Sequence, residues 1–335
     1  MPLTPTVLVI SAPDDLSADL VIRQIQERGV SIHRVNPADL ARPGLLRMTG
    51  ISDEEPLRFK IDDGHRVTLS QSVASVFWWH PDPPSRWEEG ESRAILEDFL
   101  YGLDDVLWVN HPRRAQAARP GPRQLNIAAS LGFRTPPALY TNDPVQAAAF
   151  AREQGGQVVC KTLTAHPDRF VQARLTTAEE IEAAANSVRQ NVGYFQKPVD
   201  KVCDVRLTVV GDRAFPCRIT SPGALDWRAV PETGLGFEVV GISLPLNQKV
   251  QKLMQVLGLE YAALDFAVDQ NGTWWFLEAN PAGQFGFVEA ATGMVISRAI
   301  SDHLVQTALA THVYTPGGGH HASSGAPWQR GGADR

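Results

Sequence analysis

The stretch Tyr261–Gln284, YAALDFAVDQNGTWWFLEANPAGQ, constrains the fold of this chain more than any other. Residues Ala263–Asp269 and Thr273–Asn280 read as strands, and Asn271-Gly272 between them is a strong signal for a two-residue hairpin turn. A hairpin centred on that dipeptide sets Asp265 directly opposite Glu278, and period-two alternation brings Asn280 to the same face. The other face then carries Leu264, Phe266, Val268, Trp275 and Leu277. Opposed carboxylates repel unless positive charge lies between them. Two carboxylates and an amide are what Mg²⁺ or Mn²⁺ takes, usually together with substrate phosphates. The alternative is a half-exposed hairpin whose acids face water. The run Trp274-Trp275-Phe276-Leu277 argues instead for a buried sheet, where unpaired carboxylates are expensive.

At 335 residues the chain has room for two or three modest domains. Its 43% hydrophobic and 20% charged residues are those of a globular protein, and a net charge of −6 argues against nucleic acid or an anionic membrane as partner. Cys160, Cys203 and Cys217 are odd in number and lack C-x-x-C spacing, which argues against a disulfide framework or a zinc site. No apolar run reaches membrane-spanning length and no signal-peptide pattern opens the chain, so the cytoplasm is the expected compartment.

Thr6–Ala12 is a continuous apolar run, as in a buried parallel strand. A helix capped by Asp14 or Asp15 follows and stops at Gly29, and Val30–Val35 is the next strand. This βαβ unit opens a doubly wound α/β domain, and the absence of G-x-G-x-x-G counts against a dinucleotide site. Residues Ala41–Gly64 read as irregular, strands are expected at Arg66–Leu69 and Val73–Trp79, and a helix at Glu88–Leu103. His80 follows a strand end, where open α/β sheets place ligands, yet a lone loop histidine is more often merely solvated.

The Pro-, Arg- and Gly-rich segment Arg113–Arg123 marks a boundary, and two α+β lobes follow it. Residues Asp204–Thr220 form a second hairpin turning at Gly211-Asp212, and a helix at Leu246–Leu257 feeds the first. One long helix is expected from about Phe287 to Leu309, offering a face for a homodimer. The glycine-rich stretch after Thr315, with His320-His321, reads as a disordered tail. The division is 1–118, 119–199, 200–314 and 315–335. Lys161 lies in the apolar strand Gln157–Leu163 and must either meet an anion, such as a phosphate, or snorkel to solvent.

The triplet Asp265, Glu278 and Asn280, spaced D-x₁₂-E-x-N and followed by Pro281, resembles the metal-binding signature of the ATP-grasp ligases. Further matches follow the order of that superfamily. Lys161 stands where a lysine contacts nucleotide phosphate, and Phe195-Gln196-Lys197-Pro198-Val199 resembles the hinge whose Gln196, Lys197 and Val199 positions hold adenine. Asp204 matches the acidic residue for the ribose hydroxyls, and Arg228, in Asp226-Trp227-Arg228, the arginine that approaches the transferring phosphate. The resemblance implies an ATP-grasp fold, α/β and α+β, behind an N-terminal doubly wound domain. ATP is then held by Lys161, Gln196, Lys197, Val199, Asp204, Arg228 and Asn280, and Mg²⁺ or Mn²⁺ by Asp265, Glu278 and Asn280. One departure is the loop Thr162–Arg169, which has no glycine where these enzymes usually carry a glycine-rich flap.

The similarity narrows, over about residues 6–310, to the ATP-grasp ribosomal peptide maturases, the graspetide synthetases of microviridin type, and in particular their actinobacterial branch. It rests on the N-terminal VLVISAPDDL segment, Phe77-Trp78-Trp79-His80-Pro81, Phe195-Gln196-Lys197, Asp204-Val205-Arg206, Asp226-Trp227-Arg228 and Asn280-Pro281-x-Gly283-Gln284. Family members often carry Tyr-Arg-Arg-Pro where this chain has Trp79-His80-Pro81. The family's chemistry activates Asp or Glu side chains of a precursor peptide, leader plus core, as acyl phosphates. Ser, Thr or Lys side chains then displace phosphate, closing ω-ester or ω-amide rings, with Lys161 and Arg228 as the catalytic cations. Two other readings are a ligase like RimK or the D-Ala-D-Ala enzymes, with a different acceptor, and a non-catalytic ATP-grasp scaffold that binds peptide or nucleotide.

Overall fold

A computed structural model describes residues 4–36, 46–49, 58–80, 100, 102–103, 106–161 and 173–313. The first strand, β1 (Thr6–Ser11), is wholly buried, as its unbroken apolar sequence requires. It sits inside a parallel sheet of order β2 (Ser31–Val35), β1, β6 (Val73–Trp79), β7 (Leu107–Val109). The helix Leu16–Gln26 is capped by Asp15, which accepts from the Ala18 amide at 2.8 Å. The segment expected to be irregular instead contains β3 (Leu46–Thr49) and β4 (Arg58–Asp62), which join β5 (Val67–Leu69) in a three-stranded antiparallel sheet. Its polar composition hid them: no apolar run marks these strands, although Ile61 of β4 is buried in one core with Leu8, Ile10 and Val76. Most of the helix expected at Glu88–Leu103, the glycine-free loop Thr162–Arg169 and the tail after Thr315 lie outside the described residues.

A second, antiparallel sheet has the order β10 (Arg174–Thr177), β9 (Gln157–Lys161), β11 (Gly193–Gln196), β8 (Ala138–Thr141). Val158 and Phe195 from its strands bury against Ala147, Ala148, Ala151 and Ile181 of two helices, Pro144–Glu153 and Ala178–Ala183. The third sheet is antiparallel and five-stranded: β14 (Gly236–Val239), β13 (Arg213–Thr220), β12 (Lys201–Val210), β15 (Tyr261–Asp269), β16 (Trp274–Asn280). Val205, Leu207, Leu264, Phe266 and Phe276 on one face pack onto the helices Leu244–Leu257 and Pro122–Ser130.

The single long final helix is two helices, Gly286–Thr292 and Ile296–Val313, because Gly293 turns left-handed at φ 70° between them. The second packs on β6 and on the helix Leu16–Gln26, joining the first sheet to the third in one core with Val210, Cys217 and Tyr261. Among the described residues no helix is long and apolar enough to cross a membrane.

Two carboxamides fix the β15–β16 hairpin. Asn110, just past β7, accepts from the Glu260 and Tyr261 amides at 2.8 and 3.0 Å, and donates to the Tyr261 and Pro281 carbonyls at 2.7 and 2.8 Å. Gln124 accepts from the Ala279 amide at 2.8 Å and donates to the Ala279 and Ala118 carbonyls at 2.7 Å, acting as a stub of strand on the free edge of β16. Both residues are buried with their hydrogen-bonding groups matched.

Candidate active site

The register sets Asp265 opposite Glu278, Leu264 opposite Ala279 and Ala263 opposite Asn280, as the sequence predicts. The route to that register differs. The turn is a three-residue loop closed by the Asp269 amide donating to the Thr273 carbonyl, with Gly272 left-handed at φ 75°. That slips the pairing by one residue, so Phe266 faces Phe276 and Val268 faces Trp274. A bulge between Asp265 and Phe266, with Leu277 as the extra residue of β16, slips it back. Trp274 and Phe276 therefore join the core in place of Trp275 and Leu277. Trp275 points to the other side, where its indole N–H donates to Asp269 at 3.0 Å.

Asp265 is 4% exposed and does not stand alone. Arg206, opposite it on β12, donates to both carboxylate oxygens at 3.0 and 2.9 Å, and to the Gln284 carbonyl at 3.2 Å. Arg228, on the short helical turn Trp227–Ala229, reaches Asp265 through Nη2, stands 3.5 Å from Glu278, and donates to Asp226 at 3.2 Å. From the second sheet, Lys161 brings its Nζ to 3.8 Å from Glu278 while lying 4.9 Å over the Tyr194 ring. Burial pushes the Asp265 carboxyl up, but Arg206 and then Arg228 outweigh it and hold its pKa below the usual range. Desolvation works against the Arg228 charge, yet Asp265, Glu278 and Asp226 hold that guanidinium firmly protonated.

Asp204 lies on the same sheet face, two residues before Arg206, and is 5% exposed. Burial pushes its carboxyl up to about 6, even though Lys201 sits 2.6 Å away and pulls the other way. Gln196 is buried at the end of β11 and its amide nitrogen has no partner among the described residues, a donor free for an incoming acceptor. Lys197 and Val199 line a cavity of about 710 Å³ with the linker Phe133–Pro137 and Trp275. None of Lys161, Gln196, Asp204, Arg228, Asp265, Glu278 or Asn280 lines that cavity, so the hinge positions are split between two spaces. The Asn280 side-chain oxygen accepts from the Ala282 amide at 2.9 Å and shapes the turn after β16.

Lys161, Arg228, Asp265 and Glu278, far apart in sequence, thus converge. Arg206 is the member that reading the residues alone missed. Its signal was available: an arginine two positions after Asp204 in an otherwise apolar strand must share that carboxylate's face. The site fits a divalent cation. Its two carboxylates face each other, positive charge already lies against both, and Asp265 and Glu278 have oxygens suited to a hard ion. Among the described residues no three His, Cys, Asp or Glu side chains converge as a closed metal cage, so an ion here draws its other ligands from phosphate or water.

No family model matches the chain, and no curated protein matches it. Solved structures do. The macrocyclase MdnC of Microcystis aeruginosa MRC, bound with precursor peptide MdnA, is 23% identical with a TM-score of 0.77, covering 90% of this chain and 99% of its own. A Chryseobacterium gregarium RiPP-associated ATP-grasp ligase, in complex with ADP and a leader and core peptide, is 21% identical with a TM-score of 0.78, covering 90% and 97%. The ATP-grasp ligase PsnB, complexed with a phosphomimetic variant of minimal precursor, Mg and ADP, is 20% identical with a TM-score of 0.71, covering 91% and 99%.

The fold is ATP-grasp. Lys161, at the end of β9 in the second sheet, and Glu278, on β16 of the third, bring the two sheets together at the site.

Proposed function

We propose that this ATP-grasp protein is an ADP-forming ligase that closes ω-ester or ω-amide rings in a ribosomally made precursor peptide. The observation that carries the reading is the pair of opposed carboxylates, Asp265 and Glu278, met by cations from two lobes. A mononucleotide triphosphate with a divalent ion needs this alternation of charge, because anionic phosphate must be neutralised while acidic groups anchor the ion. The precursor-bound and ADP-bound structures of similar fold support the choice of substrates, and the Mg in one of them supports the ion.

In this reading Asp265, Glu278 and Asn280 would hold Mg²⁺, which would supply Lewis-acid neutralisation of the nucleotide's phosphate charge. Lys161 and Arg228, already beside Glu278 and Asp265, would neutralise charge on the transferring phosphoryl group. Gln196 would offer its unpaired amide N–H to the adenine edge and Asp204 would accept from the ribose hydroxyls, whereas Lys197 and Val199 reach the base only if the cavity they line opens toward Gln196 on binding. A side-chain carboxylate of the peptide attacks the γ-phosphorus, ADP leaves, and an acyl phosphate forms. A hydroxyl or amine of the same peptide then attacks the acyl carbon and phosphate leaves. The division into segments 1–118, 119–199 and 200–314 assigns acceptor handling to the first and the ATP cleft to the other two. Three free cysteines suit a reducing cytoplasm as its place of work.

The test is the intact mass of the Asp/Glu- and Ser/Thr-containing peptide encoded beside the gene, after incubation with the protein, ATP and Mg²⁺. Loss of one water per link, abolished by Glu278→Gln, is the expected result. ADP release with an unchanged peptide mass would favour an amino-acid ligase. Neither change, with the peptide bound, would leave the scaffold.

A further inference from the structure

The ring-closing step needs a group to take the proton of the attacking hydroxyl, and the acids of the cleft are poorly placed for it. Asp265 is held by Arg206 and Arg228, Glu278 lies near Arg228 and Lys161, Asp204 is bound to Lys201, and Asp226 to Arg228. We propose that His80 is that proton acceptor, a role that rests on the ligase reading above.

His80 follows β6, at the carboxyl end of a parallel strand, where open α/β sheets present ligand-binding groups. It is the one non-glycine among the described residues with positive φ, at 41°, and its carbonyl accepts from the Ala12 amide at 3.2 Å. The ring is fixed from two sides. Trp79, itself buried edge-on against Tyr261 and Phe285, meets it at 5.0 Å, and Nε2 lies 2.6 Å from the Ala282 carbonyl oxygen. A carbonyl can only accept, so Nε2 carries the hydrogen. In the neutral ring Nδ1 is then a bare acceptor, and it has no partner among the described residues.

Position completes the argument. Ala282 belongs to the turn that begins at Asn280, whose side chain accepts from the Ala282 amide, and that ends where Arg206 holds the Gln284 carbonyl. His80 thus adjoins, from the first sheet, the turn that leaves β16 just after Glu278 and Asn280 and ends on Arg206, the partner of Asp265. In the step assigned to it, the hydroxyl oxygen forms the new bond to the acyl carbon. The carbon–oxygen bond to phosphate breaks, its electron pair leaves with the phosphate, and the hydroxyl proton passes to Nδ1.

The experiment separates the two half-reactions with the peptide encoded beside the gene. Hydroxylamine traps the acyl phosphate as a hydroxamate, and intact mass counts closed rings. His80→Asn, a residue that tolerates left-handed backbone, is expected to keep hydroxamate formation at the wild-type rate. Its ring closure should fall by about 10²-fold or more and be partly restored by added imidazole. Long-range ¹H–¹⁵N spectra of the histidine-labelled wild-type protein should show His80 with hydrogen on Nε2. Wild-type ring closure in the variant overturns the assignment, as does an Nδ1–H ring. Equal loss of hydroxamate and rings also overturns it, since His80 would then only brace the turn. Wild-type protein that forms neither hydroxamate nor ADP instead refutes the ligase reading itself, a result these arms keep distinct.

Discussion

Replacing Arg206 with Met tests whether the carboxylate at the centre of the site depends on a permanent internal partner. The Arg206 and Asp265 side chains are 4% and 6% exposed, whereas Arg228 is 32% exposed. Removing one partner of a buried ion pair leaves an uncompensated charge and costs about 3–5 kcal/mol, against roughly 1 kcal/mol for an exposed pair. Arg206→Met should therefore lower the melting temperature by on the order of 10 °C, and Arg228→Met by a few degrees at most.

The pH dependence follows from sign. In the wild type the Asp265 pKa is depressed on folding, so its contribution is fully present above about pH 4 and is lost only as pH falls further. In Arg206→Met burial gains the upper hand, the folded state retains a proton that the unfolded state releases, and stability falls as pH rises. Adding Asp265→Asn removes the stranded charge and should recover most of the loss at pH 8. The assay is ligand-free thermal unfolding of the variants at about pH 5.5 and 8. A penalty for Arg228→Met equal to that for Arg206→Met would refute the reasoning, as would an Arg206→Met penalty independent of pH.

Three further outcomes are expected. Glu278→Gln should lower ADP release at least ~10²-fold, since metal stabilisation of phosphoryl transfer is worth several kcal/mol, and leave the melting temperature nearly unchanged because Glu278 is partly exposed. Gly283→Ala sets a methyl 2.5 Å from Arg206 Nη2 and 2.6 Å from Ala263 Cβ, so it should cost about 1–3 kcal/mol in denaturant titration; an unaltered midpoint would contradict the packing. Asp204, with its carboxyl near 6, should weaken binding of a fluorescent ATP analogue as pH falls from about 7.5 to 5.5, with Asp204→Asn flat across that window. The same raised pKa means that Asp204 itself subtracts stability as pH rises from about 4 to about 6.

How far the sequence reveals this site depends on distance along the chain. The facing of Asp265 and Glu278 follows from strand alternation, yet it survives because two local departures cancel: a loop one residue longer than an Asn-Gly turn, and a bulge at Leu277. Alternation carries no sign of either, and so by itself it puts Trp275 and Leu277 on the core face that Trp274 and Phe276 occupy. The Arg206–Asp265 pair depends on how β12 registers against β15, across an intervening hairpin and helix, and strand periodicity fixes no such register. Lys161 was visible as a charge in an apolar strand, but its approach to Glu278 is set by packing between two sheets. Gly293 was readable as a helix stop, and the apolar pattern on both sides of it masked the break.

The two carboxamides that grip the hairpin also bear on how such a protein can be recombined. Asn110 spends all of its hydrogen-bonding capacity on the start of β15 and the end of β16, and Gln124 grips the open edge of β16 at Ala279. Neither residue belongs to the sheet it secures. A chimera that exchanges the C-terminal lobe at a boundary after residue 199 would keep both grips only if the incoming strands present free backbone groups at the same places. Transplanting residues 200–314 together with residues 110–124 carries its own fasteners, and that segment is the natural crossover for such an exchange.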